Sequence, residues 1–236
     1  MAVPAGSSRL PARPPVITID GPAGAGKSSV ARRLAAALSF RYVDTGAMYR
    51  AVALAALERS LPLDDAAQLD ALVRQLDLRL EGSDPVRVFL DGRDVTEAIR
   101  TPAVSDAAAQ IATLAPVRAL LVDRQRQLAA TGGVVLEGRD TGTVVWPQAE
   151  LKIFLTASAT VRAERRQQEL AARGETLRDE RVLEQLRERD RRDAQRAASP
   201  LVPAGDAVIV DTTALELDEV VRLLLLLVRE QLPGDR

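Results

Sequence analysis

The sequence predicts an α/β domain: a five-stranded parallel sheet with helices on both faces, interrupted by a mid-chain insertion. Three observations predict it. Five short, nearly continuous apolar runs recur along the chain, as expected for strands covered on both faces. Helical patterns lie between or after these runs, supplying the crossovers that parallel strands need. The 236 residues are 47% apolar and 28% charged, which is material for one large domain or one domain with a substantial insertion.

The elements follow in chain order. Residues 1–14 carry several prolines and no apolar run, and are expected to be a disordered lead-in without the apolar core of a secretory signal. VITID at Val16–Asp20 is the first strand, followed by a Gly-rich turn and a helix over Ser28–Leu38. Arg41–Val43 is a brief strand and Ala47–Arg59 a helix. The rhythm then breaks. Asp64–Leu76 reads helical, and Leu76–Leu80 and Val86–Leu90 read as an antiparallel pair with a DGRD turn at Asp91–Asp94. Helices over Pro102–Leu114 and Pro116–Ala130 complete the insertion. VVLE at Val134–Glu137, LKIFL at Leu151–Leu155 and AVIV at Ala207–Val210 are the other three strands. Long helical patterns cover Ala159–Arg173, Asp179–Ala197 and Leu217–Gln231. No run reaches the ~20 apolar residues of a membrane helix, so no membrane association and a cytoplasmic location are expected.

Composition narrows the chemistry. The chain has no His and no Cys. Histidine bases, Ser-His-Asp triads, thiol nucleophiles, zinc-thiolate sites and disulfides are all excluded. What remains is Asp, Glu, Lys, Arg, hydroxyls, backbone amides and a hard cation held by oxygens. The net charge of −1, with three Phe, two Tyr and one Trp, disfavours nucleic acid as a partner. Of 32 basic residues only Lys27 and Lys152 are lysine.

Lys27 falls in Gly21-Pro22-Ala23-Gly24-Ala25-Gly26-Lys27-Ser28, which fits GxxxxGK followed by a hydroxyl residue, between a strand and a helix. Glycines let backbone N–H groups converge on a phosphate chain, and the helix N-terminus adds unpaired donors. Lys27 would reach the β- and γ-phosphates of ATP, and the Ser28 hydroxyl, with Ser29 beside it, would meet Mg²⁺. Lys152, inside a central strand, is expected to be structural, at a strand end or covered by an acidic partner.

Further motifs narrow the acceptor. Asp44-Thr45-Gly46-Ala47-Met48-Tyr49-Arg50, Glu137-Gly138-Arg139-Asp140-Thr141-Gly142-Thr143 and Arg189-Asp190-Arg191-Arg192-Asp193-Ala194-Gln195-Arg196 follow the Gly-rich motif in order. Together they resemble the bacterial cytidylate kinase family over roughly Pro15 to Gln231. The resemblance implies a P-loop kinase fold: a core of 15–43, 131–158 and 199–231, a monophosphate-binding region of about 44–118, and a lid of about 160–198. It implies transfer of the ATP γ-phosphoryl group to CMP or dCMP, with Mg²⁺ as cofactor, and a monomer is expected. Carried over residue by residue, Arg50 and Arg139 would hold the acceptor phosphate. Asp140 and Arg118 would face the cytosine edge. Arg189 and Asp193 would read the ribose, with Arg196 on the base or phosphate side. Asp44 and Thr45 open the acceptor-side helix, where Asp44 would orient the site or the metal's water shell. Two departures are Ala109, where relatives often carry Ser, and Ser28-Ser29, where many relatives have Gly-Thr, so the metal role of Ser28 rests on the motif and not on those relatives.

The reaction suits the composition. The acceptor oxygen is already ionised at neutral pH, so no general base is needed, and Arg meets phosphate bidentately. Arg162–Arg196 holds eleven Arg and nine acidic residues. Part of it is expected to be a salt-bridged surface and part a closing lid, with Arg162 and Arg165 or Arg166 facing the transferring phosphate from one helix face. The rival readings are a kinase for UMP, AMP or a shikimate-like acceptor, and a regulatory nucleotide-binding protein.

Overall fold

β1 (Val16–Asp20) is buried at every residue, because it is the central strand of a sheet with both faces covered. The computed structural model describes residues 13–82, 85–171, 179–196 and 199–232. The expected disordered tail therefore lies outside the described residues except at 13–14. So does the turn Arg173-Gly174-Glu175.

The main sheet has the order β2-β6-β1-β7-β8 and every pairing is parallel. Its other strands are β2 (Arg41–Asp44), β6 (Val134–Glu137), β7 (Leu151–Thr156) and β8 (Val208–Asp211). Alternation along β1 sends Ile17 and Ile19 into a core with Leu34 of α1 (Lys27–Leu38) and Leu224 of α8 (Leu217–Gln231). Val16 faces the opposite core, with Leu136 and Val122 of α5 (Ala115–Ala129). The carboxyl ends of β1, β6 and β2 lie side by side, since Ile19 is in register with Glu137 and Glu137 with Asp44. Ligands of open parallel sheets bind at such an edge.

The insertion builds a core of its own. α2 (Thr45–Glu58) packs on α4 (Pro102–Ile111), and α3 (Ala66–Gln75) on α5, around Val52, Leu69, Leu72, Leu90, Ile99 and Leu121. The antiparallel patch has three strands rather than two: β3 (Leu78–Glu81), β4 (Arg87–Leu90) and β5 (Arg93–Asp94). The expected DGRD turn is confined to Asp91-Gly92, both at positive φ, and this two-residue turn lets Arg93 pair back with Leu90. The first strand is shifted to start at Leu78.

α6 (Ala159–Ala171) and α7 (Asp179–Ala194) pack against each other, with Leu170, Val182 and Leu186 touching Ala23 of the Gly-rich turn. Lys152 meets the expected acidic partner: its Nζ lies 2.8 Å from Asp206, whose carboxyl is held below the usual range by that bond. Two short elements have no counterpart in the periodicity, a 3-10 turn over Ala98–Arg100 and a single π-helical turn over Thr141–Val145.

Candidate active site

At one end of the cleft the chain leaves β1 into the Gly-rich turn. Gly21 has φ 145°, and a Cβ there would stand 2.0 Å from the Leu155 carbonyl oxygen, so only glycine lets the turn lie against β7. The N-terminus of α1 has no side-chain cap and no acidic residue in its first turn. Its N–H groups and positive dipole end are thus open to an anion. Lys27 is buried, and its Nζ donates to the Pro22 carbonyl at 2.7 Å. Burial pushes its pKa down to about 7, and the positive charge of Arg139 adds to that. The carboxylates of Glu137 and Asp20 offset this only in part, and a phosphate chain beside the ammonium would favour its charged form. Ser28 and Ser29 line the same cleft.

The other end is built by α2, the segment after β6, and α7. Asp44 caps α2 by accepting from the Ala47 N–H at 2.8 Å, which is why the helix starts at Thr45 and not Ala47. Its second oxygen accepts from Arg50 at 2.7 Å. Thr45 donates to the Glu137 carbonyl at 2.7 Å, tying α2 to β6. Arg139 pairs with Asp193 at 2.9 Å, and Arg196 pairs with the other oxygen of the same carboxylate. Burial raises the Asp193 pKa, but Arg139 and Arg196 outweigh it and hold the carboxyl below its usual range. Arg189 lines the cleft without an ion pair among the described residues. Burial first, then Arg139, lowers it to about 10. Deeper in, Arg118 forms a buried ion pair with Asp140, donates to the Ala112 carbonyl at 3.3 Å and sits 5.8 Å from the centre of the Tyr49 ring.

Every expected acceptor-side residue therefore lines one cleft together with the Gly-rich turn, and Ala109 lies in its wall. Two arginines do not. Arg162 is buried and donates to the carbonyls of Ala157 (3.0 Å) and Ala23 (3.1 Å), with Asp190 paired at 2.7 Å. Arg165 donates to the Thr212 hydroxyl and carbonyl and to the Leu215 carbonyl. The two share a helix face as expected and lie against Gly24 and Gly26 of the Gly-rich turn, but their guanidinium groups donate to loop-end carbonyls that need donors. Arg166, one position on, lines the cleft and pairs with Glu169 at 3.0 Å. Arg165→Ala is therefore expected to lower the melting temperature by several degrees, whereas Arg166→Ala lowers turnover at nearly constant melting temperature. Thermal melts and steady-state assays of the two variants check this.

Glu137 is a cleft residue that the motif reading did not single out. It ends β6 beside the Gly-rich turn, is buried, and accepts from the Tyr42 hydroxyl at 2.6 Å. Its position as the last residue of the strand next to β1 was the available signal.

The cytidylate kinase family model matches residues 17–230. A cytidylate kinase of Pelotomaculum thermopropionicum is 53% identical over 89% of this chain and 94% of its own length. One of Desulfitobacterium hafniense is 51% identical over 91% of this chain and 93% of its own. A bifunctional pantoate ligase/cytidylate kinase of Synechococcus sp. is 49% identical over 98% of this chain. The chain spans 43% of that longer protein's length.

Proposed function

Because this chain belongs to the cytidylate kinase family, we propose that it transfers the γ-phosphoryl group of ATP to CMP or dCMP, giving CDP or dCDP and ADP. One observation carries the reading: a single cleft has a phosphate-binding turn at one end, a buried Arg118–Asp140 pair at the other, and guanidinium groups between them. Two anions must be brought together, and the cations that line the middle offset their repulsion.

Lys27 and the N-terminus of α1 bind the donor's phosphates. Arg50 and Arg139 hold the acceptor phosphate, and Arg189 is reassigned to it from the ribose, because it lines the same cleft, feels the charges of both and has no ion pair among the described residues. Arg139 is the largest like-charge influence on both Lys27 and Arg189, which supports a role for it between the two phosphates. Asp193 keeps Arg139 and Arg196 oriented while its own charge is fully used. Asp140 offers its carboxylate to a base amino group, which favours cytosine over uracil, whose carbonyl at that position would face like partial charge. Ala109 contributes no hydrogen bond there, so base discrimination rests on the Arg118–Asp140 pair.

The donor set fits Mg²⁺. Ser28 and Glu137 present hard oxygens to one cleft, and no cluster of three acidic groups exists among the described residues to form an all-protein cage. That matches an ion that keeps waters and phosphate oxygens as ligands. Bound Mg²⁺ would neutralise charge on the β- and γ-phosphate oxygens, while Ser28 and Glu137 hold and orient it.

A coupled assay offering ATP and Mg²⁺ with CMP, dCMP, UMP, AMP and shikimate tests the proposal. CMP and dCMP are expected to be used at least tenfold more efficiently than the others, and equal use of all five would overturn it. Arg196→Ala is expected to raise the KM for CMP by about tenfold with little change for ATP.

A further inference from the structure

The sheet end next to the Gly-rich turn holds a buried carboxylate that none of the binding roles uses. Asp20 is the last residue of β1, immediately before Gly21, and is almost fully buried. It faces away from Ile17 and Ile19, toward the turn over Thr141–Val145. One oxygen accepts from the Thr141 N–H at 2.9 Å and the Thr141 hydroxyl at 2.8 Å, and the other from the Gly142 N–H at 2.8 Å. The fit is tight: a Cβ on Gly142 would lie 2.9 Å from the Thr18 hydroxyl and 3.4 Å from the Asp20 carboxylate.

These three bonds join two segments 121 and 122 residues apart in sequence. On one side is the turn that binds the donor's phosphates. On the other are Arg139 and Asp140, directly before Thr141. We propose that Asp20 is a positioning residue for the transfer, fixing the donor-phosphate turn against the segment that holds the acceptor phosphate and base. A carboxylate suits the task because it accepts three donors at once and sits at the N-terminal end of the π-helical turn, where negative charge is favoured. It touches neither substrate. Its effect is on the distance between them, and a misplacement of about 1 Å at a reacting centre costs on the order of 10²-fold in rate.

The inference rests on the kinase reading, and the two are separable. Turnover of CMP by the parent enzyme tests the reading, and the variant-to-parent comparison tests the positioning role. Asp20→Asn keeps the shape but sets an amide N–H₂ against one of the N–H donors. The expected result is a fall in kcat of tenfold or more at saturating CMP, with affinity for Mg²⁺-ATP, measured by calorimetry, within threefold of the parent. Trp146 is the chain's only tryptophan, follows the turn, and donates its backbone N–H to the Thr141 carbonyl at 2.8 Å. Its emission is expected to shift in the ligand-free variant as the turn loosens. A kcat within threefold of the parent, an unchanged Trp146 emission, or a loss of ATP affinity as large as the loss of kcat would each overturn the proposal. Should Asp20→Asn fail to fold, Thr141→Val removes one of the three bonds and keeps both backbone contacts. A three- to tenfold lower kcat at unchanged ATP affinity supports the role, and parental kcat refutes it.

Discussion

Lys27→Met is expected to lower phosphoryl transfer by about 10³-fold or more and, at the same time, to raise the melting temperature of the ligand-free protein at pH 7. The first effect follows from removing a preorganised cation from charge that develops on the transferring group, where one lost donor costs on the order of 10²–10³-fold. The second follows from burial. Lys27 sits in a pocket that depresses its pKa to about 7, next to Arg139 and Arg189. An apolar side chain of similar length removes that conflict, at the loss of one hydrogen bond to Pro22.

The same lysine makes ATP affinity depend on pH, with a fixed sign. Its pKa in the empty fold lies below the unfolded value of 10.5. Between about pH 7 and 10.5 the empty fold therefore binds fewer protons than the unfolded chain. This group's contribution to stability rises with pH across that window and is lost as pH falls toward 7. Phosphate oxygens beside the ammonium restore the charged form, so ATP binding takes up a proton. Kd for ATP is expected to rise up to tenfold per pH unit above pH 7, until other groups intervene. Calorimetry in buffers of different ionisation enthalpy measures the uptake, and Lys27→Met should abolish it. A flat Kd from pH 7 to 9 in the parent enzyme would show that the lysine is already fully charged.

Local signals carried the sheet and the phosphate-binding turn. β1, β6 and β7 are continuous apolar runs because both faces are covered, and GxxxxGK marks a backbone path that few residue types permit. What stayed hidden was set by distant partners. β5 is two residues long and exists because the Asp91-Gly92 turn returns it to β4. The π-helical turn has no periodicity of its own and is held by Asp20 at the end of the neighbouring strand β1, 121 residues before Thr141 in the chain. The three arginines of α6 are chemically identical in sequence. Carbonyls of Ala23, Ala157 and Thr212 decide that Arg162 and Arg165 turn inward and leave Arg166 to the cleft. Glu137 looked like part of a motif until its register beside Ile19 and Asp44 placed it at the cleft.

Arg139→Ala is expected to lower kcat by about 10²- to 10³-fold, with a smaller rise in the KM for CMP. Arg50 and Arg189 remain to hold the acceptor phosphate, so binding survives in part. What is lost is the guanidinium between donor and acceptor, the position where charge spreads over the transferring oxygens. Arg139→Lys should recover little of it. A lysine can still pair with Asp193, but it cannot replace a planar fork whose Nε donates to that carboxylate at 2.9 Å while Nη1 donates to the Gly138 carbonyl at 3.1 Å. Removing Arg139 also leaves Asp193 with Arg196 as its remaining direct partner among the described residues. The same change relieves Lys27 and Arg189 of their strongest like-charge neighbour. The pH at which ATP affinity begins to fall should therefore move upward in Arg139→Ala. A purely structural arginine would not move that profile. If kcat drops and the profile stays where it was, Arg139 acts through the fold alone and does not stand between the two phosphates.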